Sequence, residues 1–514
     1  MPLPVCTPSC ASLVRVFQTA DTPAHPAYVV GGFIRDSILG RPCHDVDIAV
    51  EGEPFAVAQE LSRVMNGTYV PLDEEHCVAR VVLPASQAAD SQDMSICIDF
   101  VGYEHDIRND LSRRDFTINA IAVPAATVAA QLTSPAGASP EIAADAVDPY
   151  GGLHDLAAGM LRATNPDVFE ADPGRLLRAV RLSHELAFTI DRATELLISA
   201  SCQRLRDVAG ERTREELLRL LSLPQAADSI HYLDHLGLLV PLIPELEECR
   251  DVEQPTCHFW DVLEHSIQTV ATLEYVAGES EWQYGNDEML GCIPDDPGLQ
   301  MHLEGMLSGE ASRGTLAKLA CLLHDVAKPQ TKTLDESGRA RFLGHSSEGA
   351  IVARSILERL RFSQKEIAYV EMLVQHHLRP AQLSNEGLPT SRAVYRFFRD
   401  TRGAGAGILY VAMADYLSCR GPLFTMTEWQ NVCDLMNFII TEHRRQEAVV
   451  APSKLIDGHE LIRSLGLRPG PAVGALLEAV REAQVAGLVC SKEEALQLAK
   501  RTLEGEQGTV RTAK

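Results

Sequence analysis

Residues 29–50 read VVGGFIRDSILGRPCHDVDIAV, and this stretch decides the fold prediction for the first part of the chain. A β-type run precedes Gly31 and Gly32, and paired glycines predict a tight turn where the backbone can approach a ligand closely. The apolar residues after the turn recur at helical spacing. The stretch ends on residues 45–50, DVDIAV, whose alternation predicts a second strand. The order strand, turn, short helix, strand indicates a mixed α/β unit.

Two carboxylates leave this second strand on the same face. Asp45 and Asp47 alternate with Val46 and Ile48, so the acidic side chains share one face while the apolar ones point to the core. Neighbouring carboxylates repel each other unless a cation neutralises them. Oxygen ligands at this spacing suit Mg²⁺ that is also held by substrate phosphates. The sequence therefore predicts Mg²⁺ at Asp45 and Asp47.

A third carboxylate lies on another predicted strand. Residues 96–101 read ICIDFV, and their alternation would bring Asp99 toward Asp45 and Asp47. Three carboxylates from adjacent strands match a two-metal nucleotidyl transfer, in which one metal activates the attacking hydroxyl and the other neutralises the triphosphate. We therefore predict that Asp45, Asp47 and Asp99 are catalytic.

The segment LSRRDFTINAIAV, residues 111–123, combines cations with a helix start. Arg113 and Arg114 suit a triphosphate, and Asp115 stands where a helix N-cap would stand. Asn119 lies four residues beyond Asp115, on the same helix face, and is predicted to donate to a sugar hydroxyl.

The composition indicates a multidomain protein. A chain of 514 residues is too long for one core, so roughly two to four domains are expected. The sequence has no apolar run of about 18 residues and no secretory pattern at its N-terminus, so neither a membrane span nor a signal peptide is expected. Its 13 cysteines include no CxxC pair, which favours reduced thiols and a cytoplasmic location. The net charge of −25 is unusual for a protein that binds nucleic acid, because phosphate binding relies on Lys and Arg.

The pattern of elements changes along the chain. Residues 1–24 are interpreted as a loose arm. Residues 124–147, rich in Ala, Ser and Pro, are predicted to be a mobile linker or surface insertion. From about residue 148 onward almost every segment is helical, apart from a loop-like stretch at residues 278–312.

Five motifs carry a resemblance to a known family. They occur in the order GGFIRDSILGRPCHDVDIAV, RRDFTINAIAV, DPYGGLHDL, FEADPGRLLRAVRLSHELAF and GERTREELLRLL. Over about residues 26–250 the chain resembles the class II tRNA nucleotidyltransferase and bacterial poly(A) polymerase family. The resemblance implies a DNA-polymerase-β-like head followed by helical neck, body and tail, with tRNA, CTP and ATP as partners and Mg²⁺ in the head.

The same resemblance implies roles for single residues. Asp45 and Asp47 would hold catalytic Mg²⁺, and the nucleotide would be bound by Gly32, Arg35, Arg114, Asp115, Asp172, Arg175 and Arg178. The acceptors of Asp172 and the donors of Arg175 are expected to read the base edge of the incoming nucleotide, from one face of a helix. The chain departs from the family at Ala171 and Gly174, usually Glu and Leu, which leaves the accepted nucleotides open. A glycine inside a helix would cost about 1 kcal/mol.

A second constellation follows in the helical half. Five segments carry histidines or a late aspartate: HFWDVLEHS, LLHDVAKP, FLGHSSEGA, VQHHLRP and AMADYLSCR. Sets of Asp and His bind divalent metal ions. Their order resembles the HD phosphohydrolase superfamily. The resemblance implies one metal at His265, His324, Asp325 and Asp415, and a second site completed by His345 and His376. It also implies phosphate contact by Lys328, with His377 as the alternative to His376 and His258 as a weaker candidate.

The predicted fold class is α/β plus all-α. The predicted domains are an N-terminal arm (1–24), a nucleotidyltransferase head (25–148), a helical neck that binds nucleotide and RNA (149–250), an HD phosphohydrolase domain (251–445) and a helical tail that binds tRNA (446–514). The identity of the divalent metal in the HD domain stays open.

The predicted function is template-independent addition of CMP and/or AMP to the 3′ end of tRNA, with an additional metal-dependent phosphohydrolase activity. The alternatives within the same chemistry are a poly(A) polymerase and a CC-only or A-only enzyme. A rival from another class is an HD phosphohydrolase whose head only binds RNA. The intact residues Asp45, Asp47, Arg114, Asp172 and Arg175 argue against this rival.

Overall fold

The computed structural model describes residues 10–22, 25–43, 45–73, 77–84, 96–133, 144–255, 258–309, 311–383, 387–450, 455–485 and 487–511. The chain forms two compact units. Unit 1 comprises residues 1–208 and 235–241, and unit 2 comprises residues 209–234 and 242–514. The predicted neck, residues 149–250, is therefore divided between the two units.

A six-stranded sheet forms the centre of unit 1. Its strands are β1 (Ala27–Val30), β2 (Asp45–Glu51), β3 (Thr68–Asp73), β4 (Val78–Leu83), β5 (Ile96–Tyr103) and β6 (Ala122–Pro124). Their order in the sheet is β3-β4-β5-β2-β1-β6. All neighbours are antiparallel except β2 and β5, which run parallel. The parallel pair puts the predicted carboxylates of β2 beside that of β5.

Helices cover the sheet and correct two predictions. They are α1 (Cys10–Ala20), α2 (Gly32–Leu39), α3 (Pro54–Met65), α4 (Ile107–Ser112) and α5 (Ala125–Thr133). Residues 10–20, predicted to be part of a loose arm, form a helix because Leu13, Val16, Phe17 and Ala20 make one apolar face, and all four are fully buried. The predicted linker begins with α5, which packs on α1 and β1, while its residues 134–143 lie outside the described part.

The chain continues in unit 1 through short elements. These are α6 (Gly152–Ala158), β7 (Met160–Leu161), α7 (Val168–Ala171), α8 (Arg175–Leu186), β8 (Thr189–Ile190) and α9 (Arg192–Ser201). The DPYGG motif fixes the start of this region, because Asp148 accepts hydrogen bonds from the backbone N–H groups of Gly152 and Leu153 at 2.7 and 2.9 Å. A Cβ on Gly152 would lie 2.1 Å from the backbone oxygen of Thr117, so only glycine permits this packing.

Unit 2 is helical. It begins with α10 (Gly210–Leu221) and α11 (Ala226–His235), whereas residues 239–241 of α12 (Leu239–Leu242) belong to unit 1. The helices that follow in unit 2 are α13 (Val262–Val276), α14 (Asp287–Leu290), α15 (Pro297–Glu304), α16 (Arg313–Leu323), α17 (Lys328–Thr331), α18 (His345–Arg359), α19 (Gln364–His376), α20 (Arg379–Gln382), α21 (Ser391–Asp400), α22 (Gly405–Arg420) and α23 (Met426–Val450). A hairpin of β9 (Thr333–Leu334) and β10 (Ala340–Arg341) follows α17. The predicted loop at residues 278–312 contains α14 and α15.

Three tail helices complete unit 2: α24 (Gly458–Leu465), α25 (Pro471–Val485) and α26 (Lys492–Arg511). They share an apolar core that includes Leu461, Leu476 and Val480. Glu482 of α25 accepts hydrogen bonds from Arg396 and Arg399 of α21 at 2.7–2.9 Å, which fastens the tail to the preceding helices. Within the described residues, no helix has both the length and the apolar character that a membrane crossing requires.

Candidate active sites

The predicted carboxylates of the head lie together on the sheet. Asp47 of β2 is the register partner of Asp99 on β5, and Asp45 lies two residues earlier on β2. The alternation holds as predicted, since Val46 and Ile48 are buried while Asp45 is exposed and Asp47 is half-buried. The three acidic side chains therefore share one face of the sheet.

The environment of Asp47 explains why a cation fits there. Burial raises the pKa of Asp47, and the nearby charges of Asp99 and Asp45 raise it further, while Arg114 and Arg178 act in the opposite direction. A carboxylate with a raised pKa is one whose negative charge is poorly compensated. Oxygen donors from Asp45 and Asp47 are the ligand type of a hard divalent cation. The residues present thus fit a metal at this pair.

Asp99 has a partner that the sequence analysis did not identify. Arg80, on β4, donates to both carboxylate oxygens of Asp99 at 2.7 Å each, and the two residues are register partners. This two-pronged contact occupies both oxygens, so Asp99 stands beside the Asp45–Asp47 pair with its charge already matched. Arg80 alternates with the buried Ala79 and Val81 along β4, which puts its side chain on this face, but no local pattern in the sequence identifies its partner.

The glycine turn lies against these charges. Gly31 has φ 71°, and a Cβ there would lie 2.5 Å from Asp47 Oδ2 and 2.9 Å from Arg114 Nη1. Glycine is required at this position by both backbone conformation and space. Gly32, the predicted nucleotide contact, is the first residue of α2. A Cβ added at Gly32 would have its nearest neighbouring atom, Arg35 Nη2, at 3.5 Å. Arg114 is anchored by Asp110 at 2.8 Å. Gly31 and Asp110 thus join the site that the sequence predicted from Gly32 and Arg114.

Three other predicted nucleotide contacts are turned toward each other. Arg35, Asp115 and Asn119 are all buried. Arg35 donates to Asn119, and Asn119 donates to Asp115, at 2.9 and 3.0 Å. Burial alone would raise the pKa of Asp115, but Arg178 and the hydrogen bonds from Asn119 and the Phe116 backbone outweigh it and lower the pKa. The three side chains thus form one buried hydrogen-bonded group, and their predicted contacts with the nucleotide stay a prediction.

The predicted base-reading residues lie at the start of α8. Asp172 has extended backbone and precedes the helix, and Gly174 is its N-cap. The prediction that Asp172 and Arg175 lie on one face of a helix is therefore wrong for Asp172, since α8 begins only at Arg175. Gly174 costs little at an N-cap, where glycine is well tolerated. Arg175 Nε lies 3.6 Å from Asp172 Oδ2, so the predicted pair is close in space.

The HD constellation gathers tightly in unit 2. His265 of α13 and His324, which follows α16, approach each other at 3.1 Å between their Nε2 atoms. His265 Nε2 lies 3.2 Å from Asp325 Oδ2 and 3.1 Å from Asp415 Oδ1. His345 Nε2 lies 3.3 Å from Asp325 Oδ1. The structure therefore brings five predicted ligands to one point.

His377, the predicted alternative to His376, is the histidine of this pair that lies within the cluster. His377 is buried and its ligand atoms lie within 4.8 Å of those of Asp325 and His345 in one group, and of His324 and Asp415 in another. His376 is half-buried, and the charges acting on it come from Arg379 and Asp400. Adjacent helical residues point about 100° apart, so only one of the two can face the cluster. The structure brings together the alternative, His377.

The histidine rings are oriented by backbone carbonyls. Nδ1 of His324, His345 and His377 each contacts the carbonyl oxygen three residues earlier, at 2.7, 2.6 and 2.7 Å. A ring that donates from Nδ1 presents the lone pair of Nε2 to the cluster, which is the usual arrangement of a metal-binding histidine. Asp325 Oδ1 and His345 Nε2 are buried without a hydrogen-bond partner among the described residues. The donor set fits a divalent metal centre.

The electrostatics of the cluster favour positive charge. Burial alone would lower the pKa of His324, but Asp325 and Asp415 raise it to about 10. Burial alone would raise the pKa of Asp325, but His324 and Lys328 hold it well below its usual range. The buried Asp325 and the half-buried Asp415 therefore require cationic partners, and a divalent cation meets this requirement with the same ligands.

A cavity of about 510 Å³ opens onto the cluster. Lys328 Nζ lies 2.5 Å from Asp325 Oδ2 and donates to Gln254 Oε1 at 2.6 Å. Arg339 and Arg341, from the region of the β9–β10 hairpin, line the same cavity. His258 also lines it, with its ring centroid 5.5 Å from that of His265. A phosphoester in this cavity would meet both the metal ligands and several cations.

Comparisons with known proteins agree with this arrangement. The chain matches the poly A polymerase head domain over residues 27–162, the probable RNA- and SrmB-binding site of polymerase A over 187–250, and the HD domain over 262–418. It is 32% identical to an A-adding tRNA nucleotidyltransferase of Deinococcus radiodurans, over 94% of this chain and 97% of the other. It is 31% identical to a CC-adding tRNA nucleotidyltransferase of Thermus thermophilus, over 91% and 92%.

The fold agrees as well. A solved structure of the Thermotoga maritima CCA-adding enzyme complexed with tRNA superimposes with a TM-score of 0.58 at 21% identity, covering 96% of this chain and 94% of that chain. The family follows from the 31–32% identity to two tRNA nucleotidyltransferases over more than nine-tenths of the chain, with the carboxylates and the glycine turn in place. The chain belongs to the tRNA nucleotidyltransferases, and it combines a nucleotidyltransferase head with an HD domain.

Proposed function

We propose that the chain adds CMP and/or AMP to the 3′ end of tRNA without a nucleic-acid template. The observation that carries this proposal is the placement of Asp45, Asp47 and Asp99 on neighbouring strands, beside a glycine turn and Arg114. Bound Mg²⁺ at Asp45 and Asp47 would neutralise the triphosphate and activate the attacking 3′-hydroxyl. A cytoplasmic location is part of the same proposal, because tRNA processing and reduced cysteines agree with it.

Each surrounding residue has a proposed task. Arg114, fixed by Asp110, binds the triphosphate at the turn where Gly31 permits close approach. Asp172 and Arg175 read the base, since a carboxylate offers only acceptors and a guanidinium only donors. The helical tail, which carries Arg463, Arg481 and Lys492 on its surface, contacts the tRNA.

The test is addition to defined tRNA ends. Purified protein and Mg²⁺ are incubated with tRNA that ends at the nucleotide before CCA, after one C, or after two Cs, with one labelled nucleotide at a time. Addition of CMP to the first two and AMP to the third indicates a CCA-adding enzyme. CMP alone or AMP alone indicates a CC-only or A-only enzyme, and a long A-tail indicates a poly(A) polymerase. Absence of addition to all three tRNAs contradicts the proposal.

We also propose that the HD domain hydrolyses phosphoesters at RNA 3′ ends. The specific observation is the cavity that joins a six-residue Asp/His cluster to Lys328, Arg339 and Arg341. Bound divalent metal would supply an activated water for attack on phosphorus. Removal of a 3′-phosphate or a 2′,3′-cyclic phosphate would expose the hydroxyl that the head needs as nucleophile. Incubation of such damaged tRNA with Mg²⁺, Mn²⁺, Ni²⁺ or Co²⁺ tests this, and failure with all four contradicts it.

A further inference from the structure

A continuous chain of polar contacts runs through the interior of unit 1. It begins at Asp36, which accepts from Arg35 Nε and Nη2 at 2.9 and 2.8 Å. Arg35 Nη1 then donates to Asn119 Oδ1 at 2.9 Å. Asn119 Nδ2 donates to Asp115 Oδ1 at 3.0 Å, and Arg178 Nε donates to Asp115 Oδ2 at 2.7 Å. The contacts connect α2, the 112–119 segment and α8.

The central residue of this series of contacts, Asn119, can be replaced by few other side chains. Asn119 is only 3% exposed, and it joins a cation on one side to a carboxylate on the other. An amide can do this because its oxygen accepts while its nitrogen donates, whereas a carboxylate or an ammonium group can do only one of the two. The charged partners at both ends fix the orientation of the amide. Buried networks of this kind are rigid when every member is satisfied.

The two ends of this series of polar contacts reach the two halves of the proposed nucleotide site. Arg35 and Asp36 belong to α2, which starts directly after Gly31, the residue packed against Asp47 and Arg114. Arg178 belongs to α8, one turn after Arg175. The contact between Asn119 and its partners therefore spans the distance between the triphosphate turn and the proposed base-reading residues.

The 117–119 turn is itself held from behind. Thr117 Oγ1 donates to Asp155 Oδ2 at 2.7 Å, and the backbone N–H of Thr117 donates to the carbonyl of Arg162 at 2.9 Å. Gly152 packs directly on the carbonyl of Thr117. These contacts hold the backbone of the 117–119 turn independently of the Asn119 side chain. A substitution of Asn119 therefore changes its contacts with Arg35 and Asp115 while the turn keeps its position.

We propose that Asn119 is a positioning residue for nucleotide selection, which sets the separation between the triphosphate turn and the base-reading end of α8. Pyrimidine and purine nucleotides differ in the distance from triphosphate to the recognised base edge. A fixed separation therefore sets the preference between pyrimidine and purine nucleotides. The proposal rests on the proposed nucleotide transfer and assigns the specificity of that site to a residue that need not touch the substrate.

The test measures kcat/KM for CTP, ATP, UTP and GTP with a tRNA that the wild type extends. For Asn119→Ala we expect the kcat/KM ratio between the accepted nucleotide and those of the other size, CTP against ATP and GTP or ATP against CTP and UTP, to fall at least tenfold, with the change mainly in KM. The isosteric Asn119→Asp keeps the volume and the acceptor for Arg35 but turns a second acceptor toward Asp115. It is expected to lower the ratio in the same way, so a folding failure of one variant leaves the other.

Arg192→Met is the control. Arg192 of α9 donates to Glu195 of the same helix at 2.9 Å, and neither residue belongs to the series of contacts from Asp36 to Arg178. This variant is expected to keep the wild-type ratio. An unchanged ratio in both folded Asn119 variants, or an equal fall in Arg192→Met, overturns the proposal. Absence of addition by the wild type instead refutes the proposed function, so the two failures are distinct.

Discussion

In the head, carboxylates stand on neighbouring strands with arginines beside them, whereas in the HD domain carboxylates lie among histidines inside a helical bundle. Asp45 is exposed at its strand, but His265, His324 and Asp325 are at most 1% exposed. The strand site is open on one side, and its oxygen ligands are few. The helical site surrounds its centre with six donors.

The difference indicates two ways of holding a metal. An open pair of carboxylates suits Mg²⁺, which keeps waters and takes further ligands from substrate phosphates. A buried set of imidazole and carboxylate donors is complete without substrate and suits a more tightly bound transition metal. We therefore expect the head to acquire its metal together with the nucleotide, and the HD domain to retain metal through purification.

The largest expected effect is at the open site. Asp47→Asn removes a metal ligand and is expected to reduce nucleotide addition about a thousandfold, because several kcal/mol of charge stabilisation are lost and about 1.4 kcal/mol corresponds to a factor of ten. The raised pKa of Asp47 means that its charge destabilises the fold as pH rises through that pKa, so the neutral variant is expected to unfold at the same or a higher temperature at pH 7. Single-turnover addition and thermal unfolding measure the two effects.

Glu51→Gln, at the end of the same strand, is the control for this variant. Glu51 lies six residues from Asp45, outside the acidic group that Asp45 shares with Asp47 and Asp99. It is expected to keep wild-type addition. Addition by Asp47→Asn at a rate near that of the wild type would remove the head from the catalytic assignment.

At the enclosed site, Asp325→Asn is expected to abolish both the retention of metal by the HD domain and the hydrolysis of phosphoesters. Asp325 contacts His265, His324 and His345, so its loss affects every part of the cluster. We expect metal content after dialysis to fall to background and hydrolysis of 3′-phosphorylated tRNA to fall at least about a hundredfold. Addition to hydroxyl-ended tRNA is expected to persist. Loss of that addition in a folded variant would show that the two sites depend on each other.

A neighbouring pair of histidines gives a smaller and sharper test. His377→Ala is expected to reduce metal affinity and hydrolysis about 10- to 100-fold, since His377 faces the cluster, while His376→Ala is expected to leave both unchanged. Metal titration of both variants checks the assignment. Equal losses, or a larger loss for His376→Ala, would contradict the placement of His377.

The sequence predicted the elements whose pattern is local. The strands predicted at residues 45–50 and 96–101 lie within the observed strands Asp45–Glu51 and Ile96–Tyr103, because an alternating period is read directly from neighbouring residues. The same alternation placed Asp45, Asp47 and Asp99 on one face. The helix at residues 10–20 also has a local signal, in the spacing of Leu13, Val16, Phe17 and Ala20, which the interpretation as an arm overlooked.

Partner choice was harder to predict because it depends on distant residues. Arg35 pairs with Asn119, 84 residues away, and Arg80 pairs with Asp99 across a strand pair, and no local pattern identifies either contact. For His377 a signal existed. It follows Val374 by three residues and Leu373 by four, so it continues the buried face of that helix. The resemblance supplied the order of the histidines, whereas burial decided between adjacent ones.

The smallest expected effect concerns Asp99. Its charge is already paired with Arg80, as the charges of the enclosed site are paired within the cluster. Both its oxygens accept from Arg80, so Asp99 is expected to support the Asp45–Asp47 pair without carrying the metal alone. Asp99→Asn is therefore expected to reduce addition about tenfold, well below the effect of Asp47→Asn. Arg80→Met should cost more than Asp99→Asn, because it leaves an uncompensated carboxylate beside Asp47 and raises the local negative charge. In the double variant the two losses should not add, since removing both partners also removes the unpaired charge. Addition kinetics over a range of Mg²⁺ concentrations separate these cases. A loss in Asp99→Asn as large as that in Asp47→Asn would make Asp99 a metal ligand, and the head would then hold its metal with three carboxylates of its own.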